Sequence, residues 1–108
     1  MTTTYKVLGQ TNPSATTATT LYTVPAATSA VVSTINVCNF GLSTTFRISV
    51  RPGGAAQTNA HYLHYDVGIN ANDAIAFSLG ITLAATDVIT VYAGTANVAF
   101  QVYGAELS

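Results

Sequence analysis

Arg47 and Arg51 are the first candidates for chemistry in this chain. Of 108 residues only three are Lys or Arg and four are Asp or Glu, and two of the three cations fall in one stretch, FRISVRPGG, at positions 46–54. Four positions apart on a strand, they share a face and stand about 13 Å apart along it. A guanidinium drawn out of water recruits a carboxylate in forked geometry. The carboxylates on offer are Asp66, Asp73, Asp87 and Glu106. Arg47 and Arg51 are therefore expected to act as struts, ion-paired within a sheet or between subunits, with Asp66 and Asp73 as candidate partners. A ligand site for an acidic group, or an exposed pair of little energetic weight, are the alternatives.

The motif HYLH holds both histidines, His61 and His64. In a regular strand three positions apart means opposite faces, so the two do not converge on one metal. The single cysteine, Cys38, is far away in sequence, and a metal needs three or four ligands. At a subunit boundary these histidines would make assembly sensitive to pH between about 7 and 5. Tyr62, Tyr65, Tyr92 and Tyr103 are the aromatic candidates. They can stack on sugars, or fill core and interface while keeping a polar end. Clustering in an exposed groove would favour the first role, and scatter through core and interface the second.

Signals for catalysis are weak. No G-x-S-x-G elbow is present, and no dense carboxylate pair suits glycoside hydrolysis. RPGGAA lacks the following helix and lysine of a phosphate cradle. The expectation is a protein that is not an enzyme and uses no cofactor and no metal.

The elements that position these residues read as strands. Charged residues make up 6% of the chain and hydrophobic residues 49%, against a usual charged share near ~25%. So few charges on a free monomer leave little repulsion to keep it in solution, so much of the surface is expected to be covered by other subunits. Three cations rule out a basic face for nucleic acid, and no polybasic or amphipathic patch addresses a membrane. One cysteine excludes an intrachain disulfide, and Cys38 is expected to be a buried thiol acting as a small hydrophobe. MTTTYKVLG lacks the basic and apolar regions of a signal peptide, and no apolar run reaches the ~18 residues of a membrane span. A cytoplasmic origin is expected.

Apolar residues alternate with Thr, Ser and Asn, and β-branched and aromatic types dominate. Strands are expected at 4–8, 20–24, 29–39, 44–51, 60–67, 74–80, 87–93 and 97–104. Residues 9–20, GQTNPSATTATT, read as a loop or an extended arm, and ITLAATD as a short apolar link. In the longest strand Val31, Ile35 and Val37 are expected to share one face with Ser33, and Val32, Thr34, Asn36 and Cys38 the other. Phe46, Ile48 and Val50 oppose Thr45, Arg47, Ser49 and Arg51. Ile75, Phe77 and Leu79 form one face, as do Val98, Phe100 and Val102. The last two strands are expected to pair across GTAN as a hairpin. About eight short strands at even spacing give a single-domain (1–108), all-β, antiparallel sandwich of jelly-roll type.

The segments TTLYTVPAATSAVVSTINVCN, TTFRISVRPGG, HYLHYDVGINANDAIAFSLGITLAATDVITVYAG and VAFQVYG together resemble a family of small virion proteins of tailed bacteriophages and their prophages. The resemblance covers nearly the whole chain, from Lys6 to Glu106. It implies a structural part of the particle, made in the host bacterial cytoplasm and located in the virion. A capsid decoration (cement) protein is the leading form, with itself (as a homo-oligomer, a trimer) and the major capsid protein or another virion protein as partners. The alternatives are a tail, neck or baseplate component, or a host-glycan-binding module on the virion surface. The resemblance transfers no functional residues.

Overall fold

The computed structural model describes residues 2–78 and 80–108. It is all-β, with nine strands: β1 (Thr3–Thr11), β2 (Thr19–Thr23), β3 (Ser29–Asn39), β4 (Thr44–Arg51), β5 (Tyr62–Ile69), β6 (Asp73–Phe77), β7 (Ile81–Leu83), β8 (Val88–Ala93) and β9 (Val98–Leu107). Every pairing is antiparallel. One sheet runs β1-β9-β3-β6 with β7 also on β3, and the other runs β2-β8-β4-β5. Strands successive in the chain mostly change sheet, which is the jelly-roll arrangement. β6 and β7 pair with the two ends of β3, at Ile35–Asn39 and Ala30–Val32. β7 lies within the expected link at 81–87, which therefore contributes a strand of its own.

The core lies between the sheets. Phe46 and Ile48 of β4, Ile89 and Val91 of β8, Val98, Phe100 and Val102 of β9, and Ile35 and Val37 of β3 are all buried. Ile75 and Phe77 pack against this core from β6. Leu79, expected on the same face, lies outside the described residues. Period-two alternation places the inward residues of β4 and β9 as expected.

It fails in β3. A register shift between Val32 and Thr34 inserts an extra residue opposite β9, and such a bulge reverses the alternation. Val32 is therefore buried with Ile35 and Val37, while Val31 is exposed. Cys38, expected to be buried, is only half-buried. It pairs with Ala99 and Ala74 in the outward row, between the buried Val37 and Asn39.

The expected hairpin of the last two strands does not form. β8 pairs with β2 and β4, and β9 with β1 and β3. Residues 94–97 cross between the sheets, held by Gly94 N–H donating to Thr45 O at 3.0 Å and Phe40 N–H donating to Asn97 O at 2.9 Å. Both strands carry a buried apolar row, and those rows face each other across the core instead of lying side by side. The expected arm at 9–20 is shorter than its sequence range. Residues 9–11 complete β1, 19–20 open β2, and Asn12 donates to the carbonyls of Ala96 and Val98 at 3.0 and 2.8 Å. Among the described residues no helix is long and apolar enough to cross a membrane.

Candidate functional site

The outward face of the β2-β8-β4-β5 sheet gathers most of the residues that could bind something. Arg47 pairs in register with Tyr92 of β8. On its other side β5 is irregular: Phe46 faces Val67 and Ile48 faces His64, so Tyr65 and Asp66 together oppose Arg47. Asp66 sits in the left-handed region at φ 51°, a conformation that Asp tolerates better than most residues. That bend brings its carboxylate to Arg47. Arg47 Nε donates to Asp66 Oδ1 at 2.7 Å and Nη2 to Oδ2 at 3.4 Å.

The guanidinium also lies 4.3 Å from the ring centres of both Tyr65 and Tyr92, the arrangement expected of a cation attracted to aromatic faces. The bond to Asp66, followed by its charge, holds the guanidinium well above its ordinary pKa. Arg47 is thus a strut within one chain, fixing two tyrosines and one carboxylate.

A second irregularity lies between Ile48 and Ser49, which face His64 and Tyr62. It leaves Leu63 unpaired and returns Tyr62 to the outward face. Tyr62 and Tyr65 meet edge to face, 4.8 Å between ring centres. On one side of Tyr62 is a cavity of about 150 Å³ bounded by Arg47, Ser49, Gln57, Thr90 and Tyr92. On the other is a basin of about 390 Å³ lined by Asn59, Tyr62 and Tyr65. The loop over the cavity is held by Arg51, whose Nε donates to Thr90 Oγ1 at 3.0 Å and Nη1 to the carbonyls of Gly54 and Ala55 at 3.2 and 3.0 Å. Arg51 therefore braces a loop through neutral acceptors, where a carboxylate partner was expected. Ser49, buried, donates to Gln57 Oε1 at 2.7 Å.

The remaining candidates fall elsewhere. Asp73 opens β6 in the other sheet, accepts from the Ala74 N–H at 2.8 Å and pairs with neither arginine. Asp87 accepts from Gly53 N–H at 2.8 Å and Ala84 N–H at 2.9 Å. Tyr103 lies on β9 in the other sheet, 36% exposed. The two histidines do not alternate along one strand. His61 closes a 3-10 turn before β5, with Nδ1 accepting from the Thr58 N–H at 3.2 Å. His64 turns inward, its ring 4.1 Å from that of Phe77 and its Nε2 buried without a partner. Burial pushes its pKa below the ordinary value. Among the described residues no three His, Cys, Asp or Glu side chains gather to hold a metal.

Two features were missed by sequence reasoning. Tyr22 of β2 donates to Glu106 Oε2 at 2.5 Å while Lys6 reaches Oε1 at 3.2 Å, tying the two sheets together at one edge. Asn39, 1% exposed, bonds to three carbonyls and one amide at the β3–β4 and β5–β6 turns. The signal for Asn39 was an Asn where the strand alternation calls for an apolar residue.

No family model, curated protein or solved structure matches the chain.

Proposed function

We propose that the chain is a structural protein of a tailed-bacteriophage virion, a capsid decoration subunit that stabilises the head shell through contacts with its own copies, as a trimer, and with the major capsid protein. The observation that carries this reading is the outward face of the β1-β9-β3 sheet. Tyr5, Val7, Val31 and Tyr103 stand exposed there, Tyr5 at 84%, and the register aligns Tyr5 with Ala105 and Val31. The charged pair of this sheet, Lys6 and Glu106, aligns instead with the inward Val32 and Ala30. Gln10, Gln101, Thr34 and Asn36 continue this face without charge, and an exposed apolar patch at its end is a surface that gains by being covered. Burying it across several modest interfaces, at ~25 cal/mol per Å², holds a subunit in place without any catalytic group. The resemblance to small tailed-phage virion proteins and the jelly-roll fold, common among viral shell proteins, support the same reading.

The test is the mass of the purified protein in solution, by sedimentation or mass photometry, with and without purified capsid shells. A trimer that binds shells is expected. Val31→Lys and Tyr103→Lys should weaken oligomer or shell binding while leaving the β-sheet circular dichroism unchanged. A monomer that ignores shells overturns the decoration reading and points to a tail, neck or baseplate component.

A further inference from the structure

The opposite face of the sandwich supports a separate role. We propose that the basin over Tyr62 and Tyr65 is a carbohydrate site that takes a neutral pyranose ring. Three observations carry it. First, Tyr62 and Tyr65 wall one outward basin with Asn59, and Tyr92 lines the cavity on the other side of Tyr62, an arrangement that distinguishes a binding surface from tyrosines spread through core and interface. The basin of about 390 Å³ falls in the range of small-ligand sites.

Second, the lining is pre-set. Arg47 lies 4.3 Å from the centre of the Tyr65 ring, and Tyr62 and Tyr65 pack edge to face. Ordering two aromatic side chains in advance removes a cost that binding would otherwise carry.

Third, the polar groups match a sugar in kind. Among the described residues the hydroxyls of Tyr62 and Tyr65 and the Asn59 amide, which line the basin, make no hydrogen bond within the protein. They offer donors and acceptors beside apolar ring faces. A pyranose presents the same combination, C–H faces edged by hydroxyls that both donate and accept.

Charge selects among ligands. The Arg47 fork is taken by Asp66 and its guanidinium lies against Tyr65 and Tyr92, so it does not anchor an anion and the local formal charge is zero. This disfavours phosphorylated or sialylated ligands. A proline-rich peptide also packs on tyrosines, but its backbone offers carbonyl acceptors with few donors. The free acceptors of Asn59 and the phenols would go unmatched.

The test is a nuclear magnetic resonance titration of the tyrosine ring signals. The probes are methyl β-galactoside, methyl α-mannoside, methyl β-N-acetylglucosaminide, sialyllactose and a proline-rich peptide. Saturable shifts at Tyr62 and Tyr65 with at least one neutral glycoside are expected, at about millimolar affinity. Tyr62→Ala and Tyr65→Ala should weaken binding at least about tenfold, and Leu42→Ala, on the exposed β3–β4 turn, should leave it unchanged. Tyr62→Phe, which keeps the ring, should retain more affinity than Tyr62→Ala. No saturable shift with any neutral glycoside overturns the proposal, as does preference for sialyllactose or for the peptide. None of these results depends on whether the protein binds capsid shells.

Discussion

Tyr62 and Tyr65 stand edge to face with ring centres 4.8 Å apart, on one side of a strand whose regular alternation would put residues three apart on opposite sides. Two register shifts in eight residues of β5 make this possible. One leaves Leu63 unpaired and the other sets Tyr65 and Asp66 against Arg47. Bulges of this kind re-aim side chains at functional positions, and here the re-aimed residues form the wall of the groove.

Arg47 keeps that wall in order. Arg47→Lys retains the charge but loses the planar fork and the flat faces that stack on the rings. The expected outcome is a folded protein whose Tyr65 and Tyr92 ring signals move toward those of an unstructured peptide and whose Tyr62 signals move less. Aromatic nuclear magnetic resonance spectra of the variant, beside its circular dichroism, check this. Unmoved Tyr65 and Tyr92 signals would show that packing alone orders the groove.

The sequence was legible where strands are regular. The 29–39 strand has the boundaries of β3, and the inward rows of β4 and β9 follow period two. It was illegible where a bulge intervenes, because a bulge is a property of two paired strands and not of one segment. Val31 and Val32 trade places for this reason, and Tyr62, Tyr65, His61 and His64 follow no single alternation. GTAN has the composition of a hairpin turn, but which sheet each flanking strand joins is set by partners more than fifty residues away, Val98 facing Asn39 and Val88 facing Thr23. Scarcity of carboxylates narrowed the partners of the arginines to a few candidates, but not to Asp66 for Arg47, because that pairing depends on the bend at Asp66.

His64 links stability to pH. Its Nε2 is buried and unpartnered, and burial lowers its pKa below the ordinary 6.5. The unfolded chain therefore takes up a proton at higher pH than the native state does. Stability is full above the unfolded value, falls as pH drops below about 6.5 and levels off once pH is below the native value. Urea midpoints measured from pH 8 to pH 5 should show this fall, and His64→Phe, which keeps the contact with Phe77, should flatten it. An equal slope in the variant would assign the effect to other groups.

Gly104 marks the place where β9 passes the β3 bulge. A Cβ there would run into the Val31 carbonyl, whereas one at Gly68 would meet open space. Neither backbone moves freely, since β9 is central to its sheet. Gly104→Ala should cost about 1–3 kcal/mol, as overpacking does, and Gly68→Ala should lie within about 0.5 kcal/mol of the parent. Urea unfolding of the two variants decides it. Equal midpoints would mean that the bulge relaxes without cost.

Asn39 holds two turns together from inside. Its Nδ2 donates to Leu42 O at 2.8 Å and Asn70 O at 3.0 Å, with Ile69 O at 3.4 Å, and its Oδ1 accepts from the Gly41 N–H at 3.0 Å. Asn39→Ala removes the donor and leaves those groups unsatisfied, at about 1–3 kcal/mol for each one that water cannot reach. Asn39→Asp should be worse at neutral pH, because it sets a carboxylate among carbonyl oxygens. The native state then favours the protonated acid, so its pKa rises above that of the unfolded chain. Stability of this variant should be highest in acid and fall as pH rises from about 4 toward that raised native value. Within this range it should run against the slope set by His64. Denaturant midpoints of Asn39→Asp and Asn39→Ala across pH 4 to 8 test it, and an aspartate variant no less stable than the alanine variant at pH 7 would show that the turns open to water instead.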